Sequence, residues 1–312
     1  MDLELLWRAL RLDAGPNHAW VASALALLGA AAGQVGSFAL LRRRALLVDV
    51  LGHATLPGVA GAFLLAQALG FEPRSLAWLW PGGALSAALA ALAADRLLAH
   101  TRLEPDAVLG AVLASSFGLG LLLLSHIQAT PGAASAGLDR LLFGQAAALQ
   151  RGDALAMLAL ALLACACASL YGRRLRTLAF DPGFARLAGF GPEGLDRLLH
   201  GLLGLVALAA LPAVGAVLAV ALVVLPAATA RLWSDSARRM SSIAIGIGAG
   251  AGYLGAALSR AAPKLSTGPL LVCLLGAAFT ASLLLAPRHG LFWRGLRRRS
   301  ALQRWRAQRT TP

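Results

Sequence analysis

Charged side chains are scarce in this chain, 13% of 312 residues against 58% hydrophobic, and the mean hydropathy is +0.71. A water-soluble domain carries about 25% charged residues, so too few are present to cover a soluble globule of this size. The apolar residues come in long uncharged blocks, and a bilayer-crossing helix needs about 20 of them. Cysteine is scarce as well, with three in all. Cys165 and Cys167 stand two apart on an expected helix and point to different faces, and Cys273 is isolated. Neither a disulfide framework nor a chelating pair follows, and all three read as packed, inert core residues. The motif G-x-x-x-x-G-K-[ST] is missing, which removes an ATP site of that kind. H-E-x-x-H and G-x-S-x-G are missing too. Residues 1–15 are short, acidic and interrupted by arginine, without the basic n-region of a cleavable signal peptide.

What is present is a series of apolar runs. They predict an all-α, polytopic transmembrane bundle of about 8–9 spans of about 20 residues each. The expected spans are 18–41, 46–70, 79–99, 107–128, 153–172, 198–212, 213–233, 241–260 and 266–286. The stretch 198–233 reads either as two short spans or as one helix broken at Pro212 and Gly215. Before the first span, Leu3, Leu6, Trp7 and Leu10 share one helical face, which predicts a short interfacial helix within an N-terminal segment 1–17.

The net charge of +14 is concentrated in Arg42–Arg44, in Arg173, Arg174 and Arg176, and in a tail from Arg288 to Arg309. A pI near 11.6 invites a nucleic-acid reading, but no basic stretch forms a domain of its own. Placed on alternate loops, these stretches fit the positive-inside rule: 42–44, 100–104, 173–197, 234–240 and the tail fall inside, and the N-terminus and loop 129–152 outside. The tail 291–312 then lies along anionic lipid or stays unstructured. Small residues recur at helical spacing, with Gly29, Gly33 and Gly36 in the first span and Gly246, Gly248, Gly250, Gly252 and Gly255 in the eighth. They predict close helix–helix contacts in one tight bundle.

Chemistry concentrates in the second span, where Asp49 and His53 are the sole ionisable residues between Ala45 and Gly70. Four apart, they stack on one helical face. A charged group inside a bilayer costs at least ~2.5 kcal/mol, so it persists where it meets a polar path or a partner. An oxygen and a nitrogen donor together suit zinc, manganese or iron. Two donors are too few for a tight structural site, and a transport site needs an ion that can leave. The competing reading is an Asp–His ion pair that holds neighbouring helices together. Pro57-Gly58, one turn further on, either frees carbonyls toward the same path or makes a packing kink.

A second segment of interest lies in the basic inner stretch 173–197. Asp181-Pro182 reads as an N-cap followed by proline at the first helical position, and Gly189 as the C-terminal stop. The short helix between them carries Phe180 and Phe184, which are suited to anchor a cytoplasmic partner; the other reading is an interfacial helix lying on lipid. Asp95, His100, Glu104, Asp106, His126 and His200 sit at span ends or in loops, where solvation is cheap. His200 is expected to cap or snorkel.

Several collinear segments resemble the manganese/zinc/iron ABC-transporter permeases. Asp49-Val50-Leu51-Gly52-His53-Ala54-Thr55-Leu56-Pro57-Gly58 resembles the family's D-A-L-S-H-[SA]-x-L-P-G signature, with departures at Val50 and Gly52. Ala179-Phe180-Asp181-Pro182-Gly183-Phe184-Ala185 is similar to its A-F-D-P-E-F-A segment. Val223–Ala230, Leu141–Gly144 and Ser266–Pro269 resemble further family segments. The resemblance implies a permease domain over 18–290 of the type II importer class, in a bacterial inner membrane. It also implies a second permease subunit (homodimer or heterodimer), cytoplasmic ABC ATPase subunits and an extracytoplasmic metal-binding protein. By the same resemblance Asp49 and His53 are metal contacts. Phe180, Asp181, Phe184, Ala185 and Gly189, within the coupling segment 178–190, serve ATPase coupling. Zinc, manganese or iron would be cargo, with no permanently bound cofactor. The rival readings are an ion-coupled secondary carrier and an intramembrane metalloenzyme, which would need a third ligand and a general base.

Overall fold

Long apolar runs separated by Gly, Pro and Arg turns become helices, and in the computed structural model, which describes residues 3–11, 13, 15–73, 75–129, 149–262 and 266–287, they do so throughout. The described residues form twelve helices and no strand. They are α1 Leu3–Leu10, α2 Pro16–Leu41, α3 Ala45–Ala68, α4 Leu76–His100, α5 Pro105–Ala129, α6 Arg151–Leu170, α7 Gly172–Phe180, α8 Pro182–Leu187, α9 Pro192–Ala210, α10 Ala216–Trp233, α11 Ala237–Ala261 and α12 Thr267–Leu285. The Leu141–Gly144 segment, most of the 129–152 loop and the basic tail lie outside the described residues.

Seven of these helices are long and apolar enough to cross a membrane: α2, α3, α4, α5, α6, α11 and α12. The other two expected spans correspond to α9 and α10. α10 holds the shorter apolar stretch Leu218–Trp233, and α9 begins six residues before the expected 198, with Glu193, Asp196 and Arg197 in its opening turns. Between them the chain breaks over residues 211–215, all buried, with Gly215 in the left-handed region at φ 88°. Region 198–233 is therefore two helices joined by a buried turn.

The inner stretch 173–197 is more helical than a loop with one short helix. α7 directly follows α6 and turns Leu175 and Leu178 into the core while Arg173 and Arg174 stay exposed. α1 packs on the bundle: Tyr253 of α11 donates to the Leu10 carbonyl, and His18 Nε2 lies 3.1 Å from the Ala9 carbonyl. Trp7 remains exposed. Cys165 and Cys167 are partly buried, but Cys273 is exposed, contrary to the packed role expected of it.

α2 is the most enclosed spanning helix, with α6, α9, α10 and α11 around it. The glycines explain how closely α2 and α11 approach. A Cβ at Gly29 or at Gly248 would overlap the other's carbonyl, and a Cβ at Gly33 would overlap that of Ala244. Without a hydrophobic driving force between helices in lipid, such close contact supplies the association energy. Gly246 and Gly250 face open space and take no part, unlike the packing role expected of them.

Candidate metal site and a polar network at the helix ends

α3 runs unbroken through Pro57, so of the two readings of Pro57-Gly58, a break that frees carbonyls and a packing role, the break does not occur. Pro57 has no N–H to give the His53 carbonyl. One residue on, Ser86 of α4 donates to the Ala54 carbonyl at 2.6 Å. Gly58 lies against Gly82 of α4, where a Cβ would overlap the Gly82 carbonyl. Pro57-Gly58 thus serves the α3–α4 contact.

One turn before it, His53 Nε2 lies 3.2 Å from Asp49 Oδ1, with the His53 side chain 13% and the Asp49 side chain 33% exposed. The His53 ring meets the Phe117 ring of α5 nearly edge-on, with centroids 4.7 Å apart. Its other nitrogen, Nδ1, is buried without a hydrogen-bond partner among the described residues. A buried unsatisfied polar atom costs about 1–3 kcal/mol. A partly open carboxylate beside an imidazole is an oxygen and a nitrogen donor of the kind a divalent ion takes; Nε2 is the nitrogen turned to Asp49, so an ion held by both replaces the contact between them. Among the described residues no third His, Cys, Asp or Glu joins them in a metal-sized group. A cavity of about 880 Å³ between α3, α4 and α5 is lined by Pro57, Gly58, Trp78 and Ser115 and does not reach the pair.

Sequence reasoning missed a second cluster, at the α2–α3 turn. Arg42 reaches both carboxylate oxygens of Asp196 at 3.0 and 2.8 Å and the Leu178 carbonyl at 3.3 Å. Arg44, the N-cap residue of α3, reaches Asp196 Oδ2 at 3.4 Å and His200 Nε2 at 2.7 Å. A guanidinium has donors only, so His200 Nε2 accepts and Nδ1 carries the proton, 3.6 Å from Asp95 Oδ2. His200 is buried; it neither caps nor snorkels, and with its lone pair on Arg44 it is not a free metal ligand. The pairs span 152–156 residues of chain, so no local signal in the sequence pointed to them.

The segment around α8 folds as its end residues dictate. Asp181 Oδ1 accepts from the Phe184 N–H at 2.9 Å, and Pro182 occupies the first turn. At the other end Phe190 N–H reaches the Ala185 carbonyl at 2.9 Å, Gly189 N–H reaches that of Arg186 at 3.1 Å, and Gly189 has φ 78°. These are the two bonds of a Schellman stop. Ala185 is buried, while Phe180 and Phe184 are 68% and 59% exposed, and Leu187, overlooked in the sequence, 90%. Arg186 pairs with Glu193 of α9 at 2.8 Å. The Glu193 carboxyl is held below its ordinary range by its own backbone N–H and by Arg186.

Residues 17–286 match the ABC 3 transport family. The chain is similar to the zinc transport system membrane protein TroC of Treponema pallidum (strain Nichols), 36% identical over 272 residues that cover 87% of this chain and 90% of the relative. It is also similar to the chelated iron transport system membrane protein YfeC of Yersinia pestis, 33% identical with 93% and 92% covered. Among solved structures it resembles PsaBC from Streptococcus pneumoniae in complex with Fab, with a TM-score of 0.78, 27% identity, and 93% of this chain and 98% of that chain covered.

Proposed function

Because the chain belongs to the ABC 3 transport family, a multi-pass permease of a metal ABC importer in the bacterial plasma membrane, we propose that Asp49 and His53 handle the ion as it crosses. The observation that carries this reading is the under-satisfied pair inside α3, with Asp49 partly open and His53 Nδ1 idle. The cargo is a divalent transition metal of the zinc, manganese and iron group, in keeping with the donor pair. Relatives named for zinc and for chelated iron support the same class.

A zinc-type ion takes four donors, and the described residues of one chain bring two. A second permease subunit contributing the same pair would complete the set, and donors held by two subunits can part to release the ion. Cytoplasmic ATPase subunits supply the energy and dock on α8 through Phe180, Phe184 and the adjoining Leu187; Asp181, Ala185 and Gly189 hold that helix in shape. An extracytoplasmic metal-binding protein delivers the ion at the opposite face. This orientation puts the α2–α3 turn, α7 and α8 in the cytoplasm, as the positive-inside rule requires. Membership of this family disfavours the secondary-carrier and metalloenzyme readings.

The test is uptake of radiolabelled zinc, manganese and iron in a strain lacking its own importers, with this chain and its ATPase subunits restored together. Uptake of at least one metal that disappears when the ATPase subunits carry a dead ATP site is the expected result. Uptake independent of ATP would refute the importer reading.

A further inference from the structure

The α2–α3 turn has a conformation its own sequence does not favour. Arg43 N–H bonds to the Leu40 carbonyl and Arg44 N–H to that of Ala39, the two bonds of a Schellman stop, which places Arg43 in the left-handed region at φ 55°. Glycine normally takes that place because a Cβ is strained there. Such a conformation persists where its surroundings over-determine it. Here the residues on both sides, Arg42 and Arg44, are gripped by one carboxylate, that of Asp196.

Asp196 stands just inside α9, a helix whose start is tied to α8. Arg186 of α8 pairs with Glu193, and Arg174 of α7 lies over the rings of Tyr171 and Phe190, at 5.5 and 5.4 Å from their centroids. Arg42 adds a bond to the Leu178 carbonyl of α7. On the other side, Arg44 is the N-cap of α3, and Asp49 follows five residues later, about 7–8 Å along the axis at a rise of 1.5 Å per residue. A series of polar contacts therefore runs from α8 through an exposed ion pair to α9, and from Asp196 through the partly buried Arg42 and Arg44 to the strained turn and the helix that carries Asp49 and His53.

We infer that Asp196 is a positioning residue that couples movement of α8 to the metal-bearing helix α3 through Arg42 and Arg44. This rests on the reading that α8 meets the ATPase subunits. A displacement of α8 carries the start of α9 with it. Asp196 then pulls on both sides of a turn poised in a strained state, and α3 moves as a rod from its N-terminus. His200 and Asp95 bring α4 to the same point. Asp196 touches no cargo, so its effect falls on the ratio of metal moved to ATP consumed.

The test uses the complete transporter, this chain with its ATPase subunits and binding protein, in vesicles, with zinc and manganese ions as probes. Metal transported per ATP hydrolysed is read for Asp196→Asn, Asp196→Glu, Arg42→Lys, Phe184→Ala and the unaltered chain. Asp196→Asn is expected to stay assembled and to hydrolyse ATP while metal per ATP falls about tenfold, a size typical of coupling between distant sites. Asp196→Glu restores most of that ratio, and Arg42→Lys, which keeps the charge but loses the fork, lies between. An unchanged ratio in Asp196→Asn, or transport and protein amount falling together at constant ratio, overturns the inference and leaves a plain structural brace. Normal coupling in Phe184→Ala overturns instead the reading that α8 meets the ATPase. An unchanged ratio in Asp196→Asn beside an uncoupled Phe184→Ala overturns the Asp196 inference alone.

Discussion

Two groups of charged residues lie less than one helix apart, and they differ in how many charged partners each carboxylate has. At the α2–α3 turn one carboxylate, Asp196, receives two guanidinium groups, and the nearby His200 is buried against Arg44 and faces Asp95, although Arg42 Nε and His200 Nδ1, like His53 Nδ1, have no hydrogen-bond partner among the described residues. Inside α3, Asp49 and His53 have each other, a ring edge and an idle nitrogen. Removing one partner from a buried pair costs about 3–5 kcal/mol, so a group meant to hold a structure gains from several partners at once. A group meant to bind and release an ion needs donors left free. On the proposed function, the difference separates charges that shape the bundle from charges that handle what passes through it.

The comparison is most directly strained at α3. Asp49→Asn keeps size and removes charge; His53→Ala removes the nitrogen donor. Each is expected to lower metal uptake by roughly 100-fold, at the upper end of what disturbing a metal site costs, with membrane protein level near normal. A fall in protein level that accounts for the lost uptake would assign the pair to structure and erase the contrast.

The converse case is the α2–α11 contact around Gly29 and Gly248, where the two backbones meet directly. Gly248→Val inserts a side chain where the Gly29 carbonyl already lies. Overpacking of this kind costs about 1–3 kcal/mol. The amount of folded protein should drop several-fold while uptake per folded molecule holds, as read by detergent-resistant protein against transport. Uptake lost at normal protein level would show that the contact moves during transport.

The smallest expected effect is at the exposed end of the bundle. Phe184→Ala removes an anchor of the size that costs at least about 1 kcal/mol at an interface. Co-purification with the ATPase subunits should weaken several-fold and uptake fall with it. Unchanged association would mean that Phe184 does not dock.

Much of this arrangement was legible from local chemistry. The one-turn spacing of Asp49 and His53 placed them on one face, and Asp181, Pro182 and Gly189 marked both ends of α8 because caps act within four residues. The glycine spacing in α2 foretold a close contact, although not which of the α11 glycines would make it. What was not legible depends on distant pairing. Nothing near Arg42 or Arg44 announces Asp196, and His200 looked like a residue at a wet helix end because its partner lies 156 positions away. Phe117 reached His53 from α5 by the same kind of long-range packing. Leu187 escaped notice because an exposed leucine gains meaning only beside the exposed Phe180 and Phe184.

If Asp49 and His53 handle the ion, the double variant Asp49→Asn/His53→Ala separates that role from a structural one. With both groups gone no buried charge is stranded, so a purely structural pair predicts recovered folding and recovered uptake. Uptake of radiolabelled zinc, manganese and iron, normalised to membrane protein, should instead stay as low as in the single variants although the protein accumulates normally. Robust uptake in the double variant would contradict the claim.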